Sequence, residues 1–221
     1  MLLVACSREA APPVSPAPPA STRPVPSSAT PSVTPSLTFS PLPTRTPSPT
    51  PRVITVRYRV EVRASGVASF PGVVERTLDD PRGWERAGFR LVRDDDAPYV
   101  VVIAEPAEVD RLCRPYDTYG KYSCQNGPVV ALNANRWRYA TPEWTGDLAT
   151  YRQMLVNHEV GHLLGMHHPP KPQCPRRGEL ALVMAQQSTE LNGCLPNPWP
   201  LPAEIRRAAR HDLPLAPPFS R

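Results

Sequence analysis

The sequence predicts a small α+β or α/β layer in which one buried helix lies across a sheet, and three observations carry that expectation. First, 14 of the 32 prolines fall within the first 52 residues, so the part able to fold is Val53 to Arg221, about 170 residues, an ordinary size for one domain. Second, that part alternates short β-branched runs with helical spacing in the order strand, helix, two strands, a further strand, helix. Third, the last long helix is apolar on two sides, the pattern of a helix inside a domain. A multi-domain machine does not fit this length. A polytopic membrane protein does not fit either, since no stretch approaches the roughly 18 to 20 apolar residues of a spanning helix.

The elements follow in order. Val53 to Arg63 (VITVRYRVEVR) alternates apolar and polar residues, a half-buried strand that Gly66 ends. Ser69 to Asp80 has helical spacing through Val73, Val74 and Leu78 and stops before Pro81 and Gly83. Phe89 to Arg93 and Tyr99 to Ala104 read as strands joined by a solvated hairpin turn, Asp94-Asp95-Asp96-Ala97-Pro98. No Glu follows those carboxylates at the offset a calcium loop needs. A short helix is expected from Pro106 to Leu112, then a Tyr-rich loop between Cys113 and Cys124. Val129 to Asn133 reads as a strand and as the edge on which an extended substrate could pair. The long helix runs from Asp147, a plausible N-cap, to Gly165, a plausible left-handed stop. A last short helix is expected around Ala203 to His211.

Outside the domain, residues 7–52 are a Pro/Ser/Thr-rich linker with almost nothing to bury. Extended as polyproline II it would reach on the order of 140 Å. Residues 1–6 end in Leu3-Val4-Ala5-Cys6, which resembles a bacterial lipobox with Cys6 as the lipidated residue. Only five residues precede Cys6, whereas a leader needs a charged start and an apolar core of about 7 to 15 residues. The leader therefore reads as truncated, unless the likeness is chance. Residues 1–52 carry four Arg and one Glu, leaving 21 basic against 19 acidic groups in the domain. Such a balance makes no basic stripe for nucleic acid.

The four domain cysteines, Cys113, Cys124, Cys174 and Cys194, form an even set that points to two disulfides and an oxidising compartment. Three pairings are open, and joining nearest neighbours is the simplest.

The chemistry concentrates in NHEVGHLLGMHH. On a helix, His158 and His162 lie about 40° apart and one turn along, so two imidazoles converge on one ion. Glu159 projects about 60° to 100° away, near enough to act on water without becoming a ligand. Gly165 lets the chain turn with positive φ and return His168 as a third ligand. Three protein ligands leave a fourth position open, the arrangement of a catalytic zinc site. His167 is the weaker ligand candidate, and His211 carries no functional expectation. Tyr116, Tyr119 and Tyr122 are candidates for a cleft wall.

The extended motif resembles the metzincin family of zinc peptidases. That resemblance implies a twisted mixed sheet, a buried active-site helix, an irregular C-terminal subdomain, and a Met-turn beneath the zinc. Met184 in LALVMAQQ fits the Met-turn, and Cys174 and Cys194 flank it at ten residues on either side. Some members have a Tyr two residues after the Met; here Gln186 stands there. Residues Val53 to about Pro200 also resemble an uncharacterised family of secreted and membrane-anchored actinobacterial domains. That likeness rests on DPRGW (80–84), LCRPYDT, VVALNANRW, NHEVGH, and VMAQQ followed by LNGCLPNPWP.

The expected function is an exported zinc-dependent endopeptidase acting on peptide or protein substrates, monomeric and tethered to the cell envelope or membrane as a lipoprotein through Cys6. A cell-wall amide hydrolase using the same site, or a zinc-containing tethered binding domain without turnover, are the alternatives.

Overall fold

The computed structural model describes residues 52–217. The expected leader with Cys6, and the linker apart from Arg52, lie outside the described residues.

Five strands form one mixed sheet in the order β2-β1-β3-β5-β4. Strand β1 (Ile54–Arg63) is long enough to serve two neighbours end to end. Its first half pairs in parallel with β2 (Phe89–Arg93), from Ile54 opposite Phe89 to Tyr58 opposite Arg93. Its second half pairs in parallel with β3 (Tyr99–Ala104) on the other side, from Tyr58 opposite Tyr99 to Arg63 opposite Ala104. This stagger replaces the expected hairpin. The Asp94–Pro98 turn carries the chain across β1 at the level of Tyr58, whose carbonyl accepts the Asp94 amide at 2.9 Å.

The second correction concerns the sheet edge. Strand β5 (Val129–Asn133) is parallel to β3 and antiparallel to β4 (Cys124–Asn126), so it is interior and β4 is the edge. Three polar-leaning residues are too few to show a strand period, which is why β4 was hidden within the Tyr-rich loop.

The sheet is covered on both faces, and the strand alternation sorts its residues accordingly. Val101, Ile103, Val130 and Leu132 point into the main core, with α1 (Phe70–Leu78) and the long helix. Val100, Val102, Val129 and Ala131 meet Val109 of α2 (Pro106–Leu112) on the opposite face. Cys113 and Cys124 are bonded, tying the end of α2 to edge strand β4. After β5 a helix not anticipated from the sequence, α3 (Ala134–Tyr139), begins with Asn133 capping the Asn135 amide at 2.9 Å.

The long helix α4 (Leu148–Leu163) packs across the main face. Its N-cap is Asp147, whose carboxylate accepts the Thr150 amide at 2.6 Å. Ten of its residues are buried, the result expected of a helix with two apolar faces. The chain from Leu164 to Leu201 is irregular, and α5 (Pro202–Ala208) closes it. Among the described residues no helix is long and apolar enough to cross a membrane.

Candidate metal centre

Helix α4 carries His158 and His162 on neighbouring turns, and its end returns His168 to them. The Gly165 amide donates to the His162 carbonyl at 2.9 Å, and the Met166 amide to the Gly161 carbonyl at 2.9 Å. Gly165 adopts φ 85°, a conformation that costs other residues energy. It is also pressed by the C-terminal segment, since a Cβ there would lie 2.7 Å from the Pro214 carbonyl oxygen. Backbone conformation and close approach therefore both require glycine.

The three imidazoles converge. The Nε2 atom of His168 lies 3.1 Å from Nε2 of His158 and 3.1 Å from Nε2 of His162. The Nδ1 atoms of the helical pair face carbonyls: His158 faces Val183 O at 2.8 Å and His162 faces Met166 O at 2.8 Å. A carbonyl can only accept, so each Nδ1 carries the proton and each Nε2 presents a lone pair. His168 has at most one Nε2 proton to share between two such lone pairs. Burial, reinforced by neighbouring imidazoles, pushes His158 down to about 3. Burial pushes His162 down to about 4, against the opposing pull of its bond to Met166 O. His168 is lowered by burial and by His167.

Neutral imidazoles with converging lone pairs fit a divalent metal. A tetrahedral zinc with Zn–N of about 2.0 to 2.1 Å sets its ligand nitrogens roughly 3.3 to 3.4 Å apart, close to the spacing found. Among the described residues these three histidines form the only grouping of His, Cys, Asp or Glu with this property.

Glu159 lines the same cavity of about 350 Å³ as the three histidines. Burial alone pushes its carboxyl up to about 8. Met184 is almost fully buried and packs on α4 at Gly161, where a Cβ would meet its Sδ and also Trp84 Cζ2 at 2.8 Å. Trp84 in turn donates from Nε1 to Asn157 O at 3.1 Å.

The segment under the site is held by groups that sequence reasoning missed. Buried Glu204 of α5 accepts the amides of Val183 (3.1 Å), Met184 (2.8 Å) and Leu201 (2.8 Å). Burial raises its pKa, and the three amide bonds pull it back only in part. Gln187 donates to Leu182 O at 3.1 Å and Asn197 O at 2.8 Å, while Asn197 donates to Ala181 O at 2.8 Å. Gln173 accepts the Gln186 amide at 2.6 Å. The same segment is also closed by a bond the sequence did anticipate: Cys174 and Cys194 are joined, with Cα atoms 5.6 Å apart, the nearest-neighbour pairing. Gln187 and Asn197 lie within the VMAQQ and LNGCLPNPWP segments, which carried the only signal; Gln173 lies outside both, and Glu204 had none beyond its helix.

The remaining candidates divide. Tyr116, Tyr122 and His167 line the cavity, whereas Tyr119 is exposed away from it. His211 faces Ala87 O at 2.7 Å and packs edge-on against Phe89, a role in the fold.

A family model described as "Protein of unknown function (DUF3152)" matches residues 36–195. No curated protein matches the chain. Among solved structures it is similar to archaemetzincin from Methanopyrus kandleri at 12% identity and a TM-score of 0.43, covering 71% of this chain and 95% of that one. It is also similar to a zinc-dependent peptidase from Methanocorpusculum labreanum at 12% identity and a TM-score of 0.39, covering 69% and 99%.

Proposed function

We propose, from the premise that this chain belongs to the family described as "Protein of unknown function (DUF3152)", that it is an exported zinc-dependent metallopeptidase. The observation that carries this reading is the convergence of three histidine Nε2 atoms beside buried Glu159 in one open cavity.

Zinc bound there would supply Lewis acidity toward a peptide carbonyl and toward water near neutral pH. His158, His162 and His168 would hold it through Nε2, and the Val183 and Met166 carbonyls keep the protons of the first two on Nδ1. Glu159 takes a proton from water and passes it to the leaving amine nitrogen. Met184 forms the apolar floor. An extended substrate lies along β4, the sheet edge, whose Cys124 and Gln125 line the cavity. The two disulfides support an oxidising, extracellular location. In this reading the domain works as a monomer on the Pro-rich linker, anchored through Cys6.

The test is mass-spectrometric profiling of a diverse peptide library with the zinc-loaded protein, with and without chelator. Chelator-sensitive cleavage that is lost in Glu159→Ala supports the proposal. Folded protein with one equivalent of zinc that cleaves nothing would favour a binding domain instead.

A further inference from the structure

Arg136 stands where two cavities meet. It lines the cavity of about 350 Å³ that holds the three histidines and Glu159. It also lines a second cavity of about 570 Å³, bounded by Lys121, Tyr139 and Glu143. Tyr122, Ser188 and Thr189 belong to both walls, so the two spaces adjoin each other at Arg136.

The guanidinium is fixed at one point. Its Nε donates to the Lys121 carbonyl at 2.6 Å, which docks it against the loop preceding β4. Among the described residues neither terminal amino group of Arg136 has a hydrogen-bond or ion-pair partner. Neighbouring arginines differ. Arg138, in the same helix, pairs with Glu105 at 2.7 Å and donates to Ser65 O at 2.6 Å. Arg152 donates to Trp137 O at 2.8 Å and lies over the Trp137 ring. Arg136 thus keeps the half of its donor fork that matches a carboxylate, in a second cavity where Lys121 adds a cation and Glu143 the single opposing charge.

We propose that Arg136 is an anion-binding subsite for a substrate carboxylate one or two residues from the scissile bond. This rests on the peptidase reading and gives it a substrate class: acidic peptides. The carboxylate has two sources, an Asp or Glu side chain or the end of the substrate chain, and the peptides below separate them.

The experiment uses zinc-loaded full-length protein and quenched peptides carrying Glu, Gln or Lys at each position flanking the cleaved bond, every one made as C-terminal amide and as free acid. Glu should exceed Gln by about tenfold or more in kcat/KM, with Lys lowest, because a charge-assisted bidentate contact is at stake. A preference following the free acid instead assigns the subsite to the chain terminus. Arg136→Gln should bring the ratio near one while turnover of the Gln peptide persists, and Arg136→Glu should favour Lys. Equal rates across the wild-type series, or a preference that survives Arg136→Gln, would overturn the subsite. The same peptides are bound to zinc-loaded Glu159→Gln protein and read by fluorescence anisotropy, which needs no turnover. If nothing is cleaved, the peptidase reading fails; the subsite then stands on tighter Glu-peptide or free-acid binding lost with Arg136→Gln, and falls if binding is equal.

Discussion

Glu204 and Val183 are joined by a hydrogen bond of 3.1 Å from the Val183 amide to the Glu204 carboxylate, and the carbonyl of the same Val183 faces His158 Nδ1 at 2.8 Å. A carboxylate in the last helix is thus one residue removed from His158, a ligand of the proposed zinc site. Replacing it by an amide puts an NH2 group against backbone donors. Glu204→Gln should therefore lower unfolding stability by about 1 to 3 kcal/mol and weaken zinc retention in chelator competition. Denaturant midpoints at constant slope, read beside chelator titrations, check both; unchanged retention would confine Glu204 to stability.

Metal binding itself is read most directly at His158. His158→Ala should reduce bound zinc from one equivalent to near none by elemental analysis, because two remaining imidazoles make an incomplete site. Retention of a full equivalent would exclude the three-histidine centre.

The buried carboxyl of Glu159 makes the metal-free protein sensitive to pH in a defined direction. Its folded pKa is raised from 4.5 to about 8 by burial. The stability it contributes is fully present below about 4.5 and is lost as pH rises through about 8. Metal-free Glu159→Gln should therefore match wild type below pH about 4.5 and gain on it between there and pH about 8, by a few kcal/mol at most. Thermal unfolding of both proteins across that range is the measurement, and a constant difference would contradict the assignment.

Gly161 tests the floor of the site. An added methyl would press on Met184 and Trp84, both nearly fully buried. Gly161→Ala should destabilise by about 1 to 3 kcal/mol, although alanine is the better helix former. A neutral or stabilising effect in chemical denaturation would show that the floor yields.

Much of the site was legible because its signal is local. A helix has a set period, so His158, Glu159 and His162 acquire their relative directions from spacing alone, and Gly165 follows from the need to turn at once. The strands of the buried sheet were legible too, since β3 and β5 are continuous apolar runs bounded by turn residues. Strand pairing was not. The stagger of β2 and β3 along β1 and the edge position of β4 depend on which distant segment lies alongside, and a sequence period carries no partner.

The sequence by itself determined that one buried helix carries His158, Glu159 and His162 at a spacing that directs the two imidazoles to one side, because periodicity and spacing are properties of consecutive residues. Only the tertiary structure decided what surrounds that helix. Glu204 reaching the Val183 and Met184 amides, Gln187 and Asn197 bracing the same segment, and Arg136 facing the cleft all join residues far apart in the chain. Their directions are set by packing, which no local pattern encodes.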